Sequence, residues 1–209
     1  MPSKTLKDVS LEMCTFDLKM LQKIVAEQQL TTFRYEPGGL QHIPSPAQRF
    51  SAATVAECLN SSRPSLIYLG LFPDKRSKRP AFGEFDQLET MDVPQPGFLS
   101  IPLDESDPTV IISSLRKHPP ATLKTLSLRN LKYDGQLKVL LEQLAQLKLQ
   151  GILEHLHLVQ LDFRRLVSSP FDMTSPFEEA PNPEALIRED LYSLIDEAGI
   201  EVKICQTDV

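Results

Sequence analysis

A nine-residue pattern of leucines occurs twice in the sequence, thirty positions apart, and it constrains the fold more than any other feature. Residues 123–131 are LKTLSLRNL and residues 153–161 are LEHLHLVQL, so both match LxxLxLxxL. Between them, leucines recur with the spacing of one helix face, at 137, 140, 141, 144 and 147. The pattern therefore predicts a unit of strand, helix and strand.

Less regular copies of the pattern occur along most of the chain. They begin near residues 6, 30, 66, 88, 123, 153 and 199, and consecutive copies are separated by 22 to about 46 residues. Parallel strands need long crossovers, and right-handed crossovers place the helices on one side of the sheet. We therefore expect an α/β solenoid, a horseshoe of about seven irregular repeats, with a parallel β-sheet on the concave face and helices and loops on the convex face.

The whole chain, residues 1–209, is predicted to form one such domain. Gly151 and Gly199 follow predicted helices, at the position where a left-handed backbone commonly ends a helix. Four proline-rich, polar stretches match no regular element and are predicted to be loop insertions, at about 36–50, 73–87, 94–106 and 168–183.

The composition disfavours several classes of function. A net charge of −6 disfavours a general nucleic-acid binder, because contacts to phosphate need a basic face. The three cysteines are far apart and form no CxxC pair, which disfavours both a disulfide framework and a structural zinc site. No signal peptide and no apolar run of membrane-spanning length occurs, so we expect no membrane association and an intracellular protein, cytoplasmic or nuclear.

Alternate side chains of each predicted strand point away from the helices and toward the open side of the sheet. Tyr68 and Phe72 occupy two such positions on the third of the seven predicted strands, and exposed aromatic side chains are favoured anchors at protein interfaces. We therefore predict that a partner protein binds the concave face, through residues drawn from the outward positions: Arg34, Tyr68, Phe72, Thr90, Asp92, Thr125, Ser127, Arg129, His155, His157, Glu201 and Lys203.

Two chemical alternatives involve the same face. His155 and His157 are two positions apart, and Glu201 on the next predicted strand is the nearest candidate for a third metal ligand. Ser127 beside His157 would supply a nucleophile and a base, but no orienting carboxylate, oxyanion donor or elbow motif accompanies them. No glycine-rich phosphate loop occurs. We therefore predict no catalytic residue, no metal and no cofactor, and expect that the protein is not an enzyme.

Two kinds of short motif are compatible with regulation of the protein. Residues 75–79, KRSKR, place four positive charges within five positions, which fits a nuclear-import signal, a patch for an anionic partner or a solvated loop. Three Ser-Pro pairs lie in the predicted insertions and could be sites of proline-directed phosphorylation: Ser45-Pro46, Ser169-Pro170 and Ser175-Pro176.

The chain resembles the leucine-rich-repeat region of F-box-type leucine-rich-repeat proteins, particularly the irregular ones common in fungi. The residues that carry this resemblance are leucines at 66, 69, 71, 123, 126, 128, 153, 156 and 158, with Leu6, Val9, Leu11 and Cys14. The resemblance implies substrate recognition for a ubiquitin ligase, with ligase components as further partners if an F-box is present in the full-length protein. The chain has no detectable F-box, and Leu131 and Leu161 stand where the family's asparagine ladder would continue.

Two other functions fit the sequence. A small α/β hydrolase or transferase would have a pocket at the carboxyl ends of the strands, with titrating groups of shifted pKa inside it. A purely structural scaffold would pack its concave face against its own proline-rich insertions.

Overall fold

The computed structural model describes residues 6–14, 18–37, 52–72, 82–94, 120–129, 131, 135–165 and 189–208. Within these ranges, the strands are β1 (Asp8–Cys14), β2 (Thr32–Pro37), β3 (Tyr68–Leu71), β4 (Thr90–Pro94), β5 (Thr125–Arg129), β6 (Leu158–Arg165) and β7 (Glu201–Asp208). The α-helices are α1 (Leu18–Val25), α2 (Ala52–Cys58), α3 (Gly135–Leu149) and α4 (Glu189–Glu197), and two 3-10 helices cover Asn60–Ser62 and Phe82–Glu84.

All seven strands form one parallel sheet, and their order in space is their order in the sequence. The predicted α/β class and parallel sheet are therefore confirmed. Because each strand is parallel to the next one and lies beside it, every connection must run back from the end of one strand to the start of the next. Such connections are compatible with a solenoid-like arrangement. One row of the register crosses the whole sheet and consists of apolar residues: Val9, Phe33, Leu69, Met91, Leu126, Val159 and Val202.

The core lies between this face of the sheet and the helices. In β5, Leu126 and Leu128 are fully buried, whereas the alternating Thr125, Ser127 and Arg129 are partly exposed. Helix α3 contributes the leucines that the sequence pattern had placed on one face, at 137, 140, 141, 144 and 147. Burying one such side chain stabilises the fold by about 1.5–3 kcal/mol, so these leucines serve the architecture.

A repeated backbone hydrogen-bond arrangement precedes the strands and coincides with the two residues between the first two apolar positions of LxxLxL. The carbonyl of Lys124 accepts two bonds, from the N–H groups of His157 and Leu158 at 3.0 and 3.2 Å. The two residues that share this acceptor occupy the two positions between the buried Leu156 and Val159. The same arrangement occurs at the carbonyls of Lys7, Thr31, Ile67 and Glu89.

Hydroxyl groups also link neighbouring strand starts. The Ser65 hydroxyl donates to the carbonyl of Leu30 at 2.9 Å, and the Thr122 hydroxyl donates to the carbonyl of Leu88 at 2.8 Å. Ser62 is fully buried, and its hydroxyl donates to the carbonyl of Gln28 at 2.8 Å. These serine and threonine bonds satisfy backbone carbonyls that would otherwise lack a partner between successive strands.

The sixth strand corrects one prediction. The sequence pattern placed Leu156 and Leu158 inward on a strand, with His155 and His157 between them pointing outward. In the structure β6 begins only at Leu158, which pairs with Thr125. The buried side chains of β6 are Val159, Leu161 and Phe163.

The error arose because the sequence here fits the repeat pattern in two frames, one as LxxLxL and the other, with valine in the second place, as LxxVxL. One frame begins at Leu153 and the other begins at Leu156, three residues later. A shift by an odd number of residues exchanges the two faces of a strand. The structure uses the later frame, and Leu153 is buried in the turn that follows α3.

The ends of α3 and α4 agree with the sequence pattern. Gly151 and Gly199 have φ angles of 75° and 63°, the left-handed conformation predicted for them. The Lys148 ammonium donates to the carbonyls of Leu156 at 2.5 Å and Gly199 at 2.9 Å, which ties the end of α3 to the approaches of β6 and β7. Burial lowers the pKa of Lys148.

Among the described helices, none combines the length and the apolar character needed to cross a bilayer. Most of each predicted loop insertion lies outside the described residues, and so do the basic cluster at 75–79 and the three Ser-Pro pairs.

Candidate functional site

The sheet has a second face, opposite the helices that the structure describes, which we call the open face. Its side chains come from alternate strand positions: Asp8, Ser10 and Glu12; Thr32, Arg34 and Glu36; Tyr68 and Gly70, followed by Phe72; Thr90 and Asp92; Thr125, Ser127 and Arg129; Leu158, Gln160 and Asp162; Glu201, Lys203 and Cys205. Ten of the twelve predicted partner-binding residues are in this set, and His155 and His157 are not.

Asp92 is the most buried ionisable residue of the open face, with 4% of its surface exposed. The Arg129 guanidinium donates Nε to Oδ1 at 2.9 Å and Nη2 to Oδ2 at 2.6 Å. Such a paired contact fixes the plane of the guanidinium as well as its position. The Tyr68 hydroxyl donates to Oδ2 of the same carboxylate at 3.3 Å. One buried carboxylate therefore orients side chains from both neighbouring strands.

Tyr68 is half-buried, and burial together with the nearby Asp92 carboxylate raises its pKa. The Tyr68 hydroxyl therefore stays protonated and donates a hydrogen bond to Asp92. Gly70 provides the space for this ring. A Cβ atom at Gly70 would lie 3.1 Å from Cγ of Arg34 and 3.3 Å from both Cε1 and Oη of Tyr68. The absence of a side chain at Gly70 allows the Tyr68 ring to extend along β3 toward Asp92.

Phe72 contacts two guanidinium groups. The Cζ atom of Arg129 lies 4.8 Å from the ring centroid, and Cζ of Arg34 lies 5.7 Å from it. Both distances are within the range of cation–π attraction. The ring thus joins the arginine of β2 to the arginine of β5 across the middle of the sheet.

Arg34 is held from its other side by two glutamates. Its Nη2 donates to Glu36 at 3.0 Å, and this hydrogen bond is the main reason that the pKa of Arg34 is raised. Its Nε lies 3.2 Å from Oε1 of Glu12, an ion-pair distance, although the orientation of this N–H does not form a hydrogen bond. The contact with Glu12 is therefore electrostatic.

We call Arg34, Tyr68, Phe72, Asp92 and Arg129 the central cluster. Tyrosine and arginine are among the residue types that dominate binding energy at protein interfaces. Their side chains are already oriented by the contacts above, so less conformational entropy would be lost when a partner binds. The cluster is therefore suited chemically to binding a protein surface.

The open face on β5, β6 and β7 is more polar and less constrained. The Ser127 hydroxyl donates to Oε1 of Gln160 at 2.8 Å. Lys203 pairs with Glu201 at 3.2 Å, and both side chains are at least half exposed, so this ion pair adds little stability. These groups offer hydrogen bonds to a ligand without fixing its position.

The two histidines lie before β6, at the amino-terminal side of the sheet, and both are exposed. His155 Nε2 is 3.1 Å from the carboxylate of its neighbour Glu154, and Nδ1 of His157 is 3.2 Å from the carbonyl of His155. The arrangement expected for a metal site with Glu201 is therefore not formed. Within the described residues, no group of three or more histidine, cysteine, aspartate or glutamate side chains could hold a metal ion.

Near β1 and β2, the open face forms an open groove of about 540 Å³, whose lining includes Asp8, Ser10, Glu12, Thr32, Arg34 and Tyr68. Sequence reasoning placed these positions on the open face but selected only Arg34 and Tyr68 as binding residues. The sequence signal for the groove, which was not used, is the alternation of short and long side chains across neighbouring strands. Sequence reasoning also missed Leu158, Gln160 and Asp162, because it used the wrong frame for β6.

Comparisons with models of known protein families, with curated proteins and with solved structures found no match for this chain. The function must therefore be inferred from the chemistry of the open face.

Proposed function

We propose that the chain is a protein-binding module, a leucine-rich-repeat-like horseshoe whose concave face, the open face, binds a partner protein. The observation that carries the proposal is the central cluster, in which the buried Asp92 carboxylate bonds to the Tyr68 hydroxyl and the Arg129 guanidinium. The Phe72 ring in turn contacts the guanidinium groups of Arg129 and Arg34. The cluster lies on the side of the sheet opposite the described helices. Large, oriented, amphipathic side chains on a broad surface are the features of a binding hot spot.

The shifted titrating groups also favour binding over catalysis. A hydrolase or transferase would gather groups of perturbed pKa in one pocket. Two of the four described groups with clear shifts lie on helices, where burial raises the pKa of Cys58 on α2 and lowers that of Lys148 on α3. Tyr68 and Arg34, the two on the open face, are bonded to carboxylates that hold their protonated forms.

The resemblance to F-box-type leucine-rich-repeat proteins extends this proposal. The bound partner would then be a substrate presented to a ubiquitin ligase. Co-purification of the full-length protein from cells tests this extension, since a ligase adaptor should be recovered with it. Recovery of a partner without any ligase adaptor would reject the ubiquitin-ligase role and leave the binding module in place.

A variant of the central cluster tests the binding module itself. The triple variant carries Tyr68→Ala, Phe72→Ala and Arg129→Ala in one chain. It is expected to reduce recovery of the partner at least about tenfold, because each hot-spot truncation costs about 2 kcal/mol or more of binding free energy. The measurement is affinity purification followed by quantitative mass spectrometry.

The matched control removes similar side chains from the helices: Lys19→Ala, Met20→Ala and Tyr192→Ala, all at exposed positions. Circular dichroism should show that both variants are folded. The proposal predicts that the control retains the partner. It is rejected if the folded cluster variant recovers the same proteins in the same amounts as the control.

A further inference from the structure

The groove near β1 and β2 has short side chains in its floor and longer ones around it. Ser10 and Thr32 are diagonal neighbours on β1 and β2, since Ser10 pairs with Arg34 and Thr32 pairs with Asp8. Asp8 and Tyr68 flank Thr32 on the two adjacent strands, and Arg34 lies beside Ser10. Because the longer side chains rise on several sides of two short ones, the sheet surface is locally concave and can take a single side chain of a ligand.

The charge around this groove is negative. Among the residues that line the groove, Asp8 and Glu12 carry carboxylates and Arg34 carries the one guanidinium, so the formal charge of this lining is −1. Arg34 is engaged by Glu12 and Glu36. Asp8 accepts a hydrogen bond from the Thr31 hydroxyl at 3.1 Å and forms no ion pair with any residue that the structure describes. An anionic ligand would be repelled here, whereas a cationic one would be attracted.

The aromatic wall favours the same kind of ligand. Tyr68 lines the groove, and a cation over an aromatic face is attracted by the ring as well as by nearby carboxylates. A lysine or arginine side chain combines an apolar stem with a charged end. Its stem would cover Thr32 and the Tyr68 ring while its charge approached Asp8 and Glu12.

We propose that this groove binds a lysine or arginine side chain from a basic segment of the partner protein. The inference rests on the proposed function, since it specifies the chemistry of the partner that the open face binds. In this proposal the open face at β1 and β2 recognises the charge of the partner, and the central cluster supplies most of the binding energy. Long-range attraction to an acidic groove would also speed association and weaken it at high salt.

Fluorescence anisotropy with labelled peptides tests the inference directly on the full chain. The probes are a lysine-serine peptide and a counterpart in which glutamate replaces every lysine. The lysine peptide is expected to bind at low ionic strength and the glutamate peptide is not. Asp8→Asn with Glu12→Gln should weaken binding of the lysine peptide about fivefold or more, since each exposed ion pair contributes up to about 1 kcal/mol.

The matched control, Asp196→Asn with Glu197→Gln, makes the same change of net charge at exposed positions of α4 and should alter the affinity less than about twofold. Tyr68→Phe keeps the ring and should retain binding, whereas Tyr68→Ala should weaken it about threefold. Asparagine at position 8 can still accept the Thr31 bond, so the double variant should be folded, which circular dichroism checks.

Equal weakening by the groove variant and the α4 control would overturn the inference, because it would show attraction to net charge alone. Equal binding of the two peptides, or binding of neither, would also overturn it. If the central-cluster variant still loses its partner in either case, the proposed binding module stands and only the basic chemistry of the partner is rejected.

Discussion

Asp92→Ala is expected to lower the free energy of unfolding by about 2 kcal/mol, which is a large effect for a residue outside the hydrophobic core. The substitution leaves the Arg129 guanidinium without the carboxylate that accepts two of its N–H groups, and it removes the acceptor of the Tyr68 hydroxyl. Breaking a fully buried pair costs about 3–5 kcal/mol, but about a third of the Arg129 side chain is exposed and water can replace part of the lost interaction. Urea denaturation at neutral pH measures the difference.

Glu89→Ala is the control for this experiment. Glu89 pairs with Lys124 at 2.7 Å, but both side chains are more than 40% exposed. An exposed ion pair contributes less than about 1 kcal/mol, so this variant should be close to the native chain. If Asp92→Ala costs no more than Glu89→Ala, Asp92 does not organise the central cluster as described.

Val159→Ala is expected to lower the free energy of unfolding by about 2–3 kcal/mol, whereas Leu158→Ala should lower it by less than about 1 kcal/mol. Val159 is fully buried, in register with Leu126 of β5. Truncating it leaves a cavity in the core in addition to the lost apolar contact. Leu158 lies on the open face and is partly exposed, so its removal opens no cavity.

The same pair of variants discriminates between the two frames of the sixth strand. In the frame that begins at Leu153, Leu158 would be inward and its truncation would be the more costly one. In the observed frame Val159 is inward. A larger loss of stability for Leu158→Ala than for Val159→Ala, measured by the same denaturation experiment, would contradict the register of β6.

Much of the sheet could be predicted because its strands have one apolar face and one polar face. In β5, the alternation of Leu126 and Leu128 with Thr125, Ser127 and Arg129 specifies which side is buried. The prediction failed for β6 because apolar residues fit the repeat pattern in two frames there, and local periodicity cannot discriminate between the frames. Phe163 is the discriminating residue, since it extends the inward series of the observed frame by one more position.

The central cluster could be predicted only in part. Alternation placed Tyr68, Phe72 and Arg129 on the open face, and the structure places them there. The burial of Asp92 could not be inferred, because it depends on an arginine thirty-seven residues later in the sequence and on the space above Gly70. Contacts between side chains of different strands follow from register and rotamer together, and a single sequence specifies neither of them directly.

The measurement that tests the central claim most directly is photo-crosslinking from the two faces of the molecule. The crosslinking amino acid p-benzoylphenylalanine would replace Thr125 on the open face in one chain and Gln146 on the exposed side of α3 in another. The account predicts that the partner is crosslinked at position 125 and not at position 146. Crosslinking of the partner at position 146, with none at position 125, would show that the helices bind it and would contradict the account.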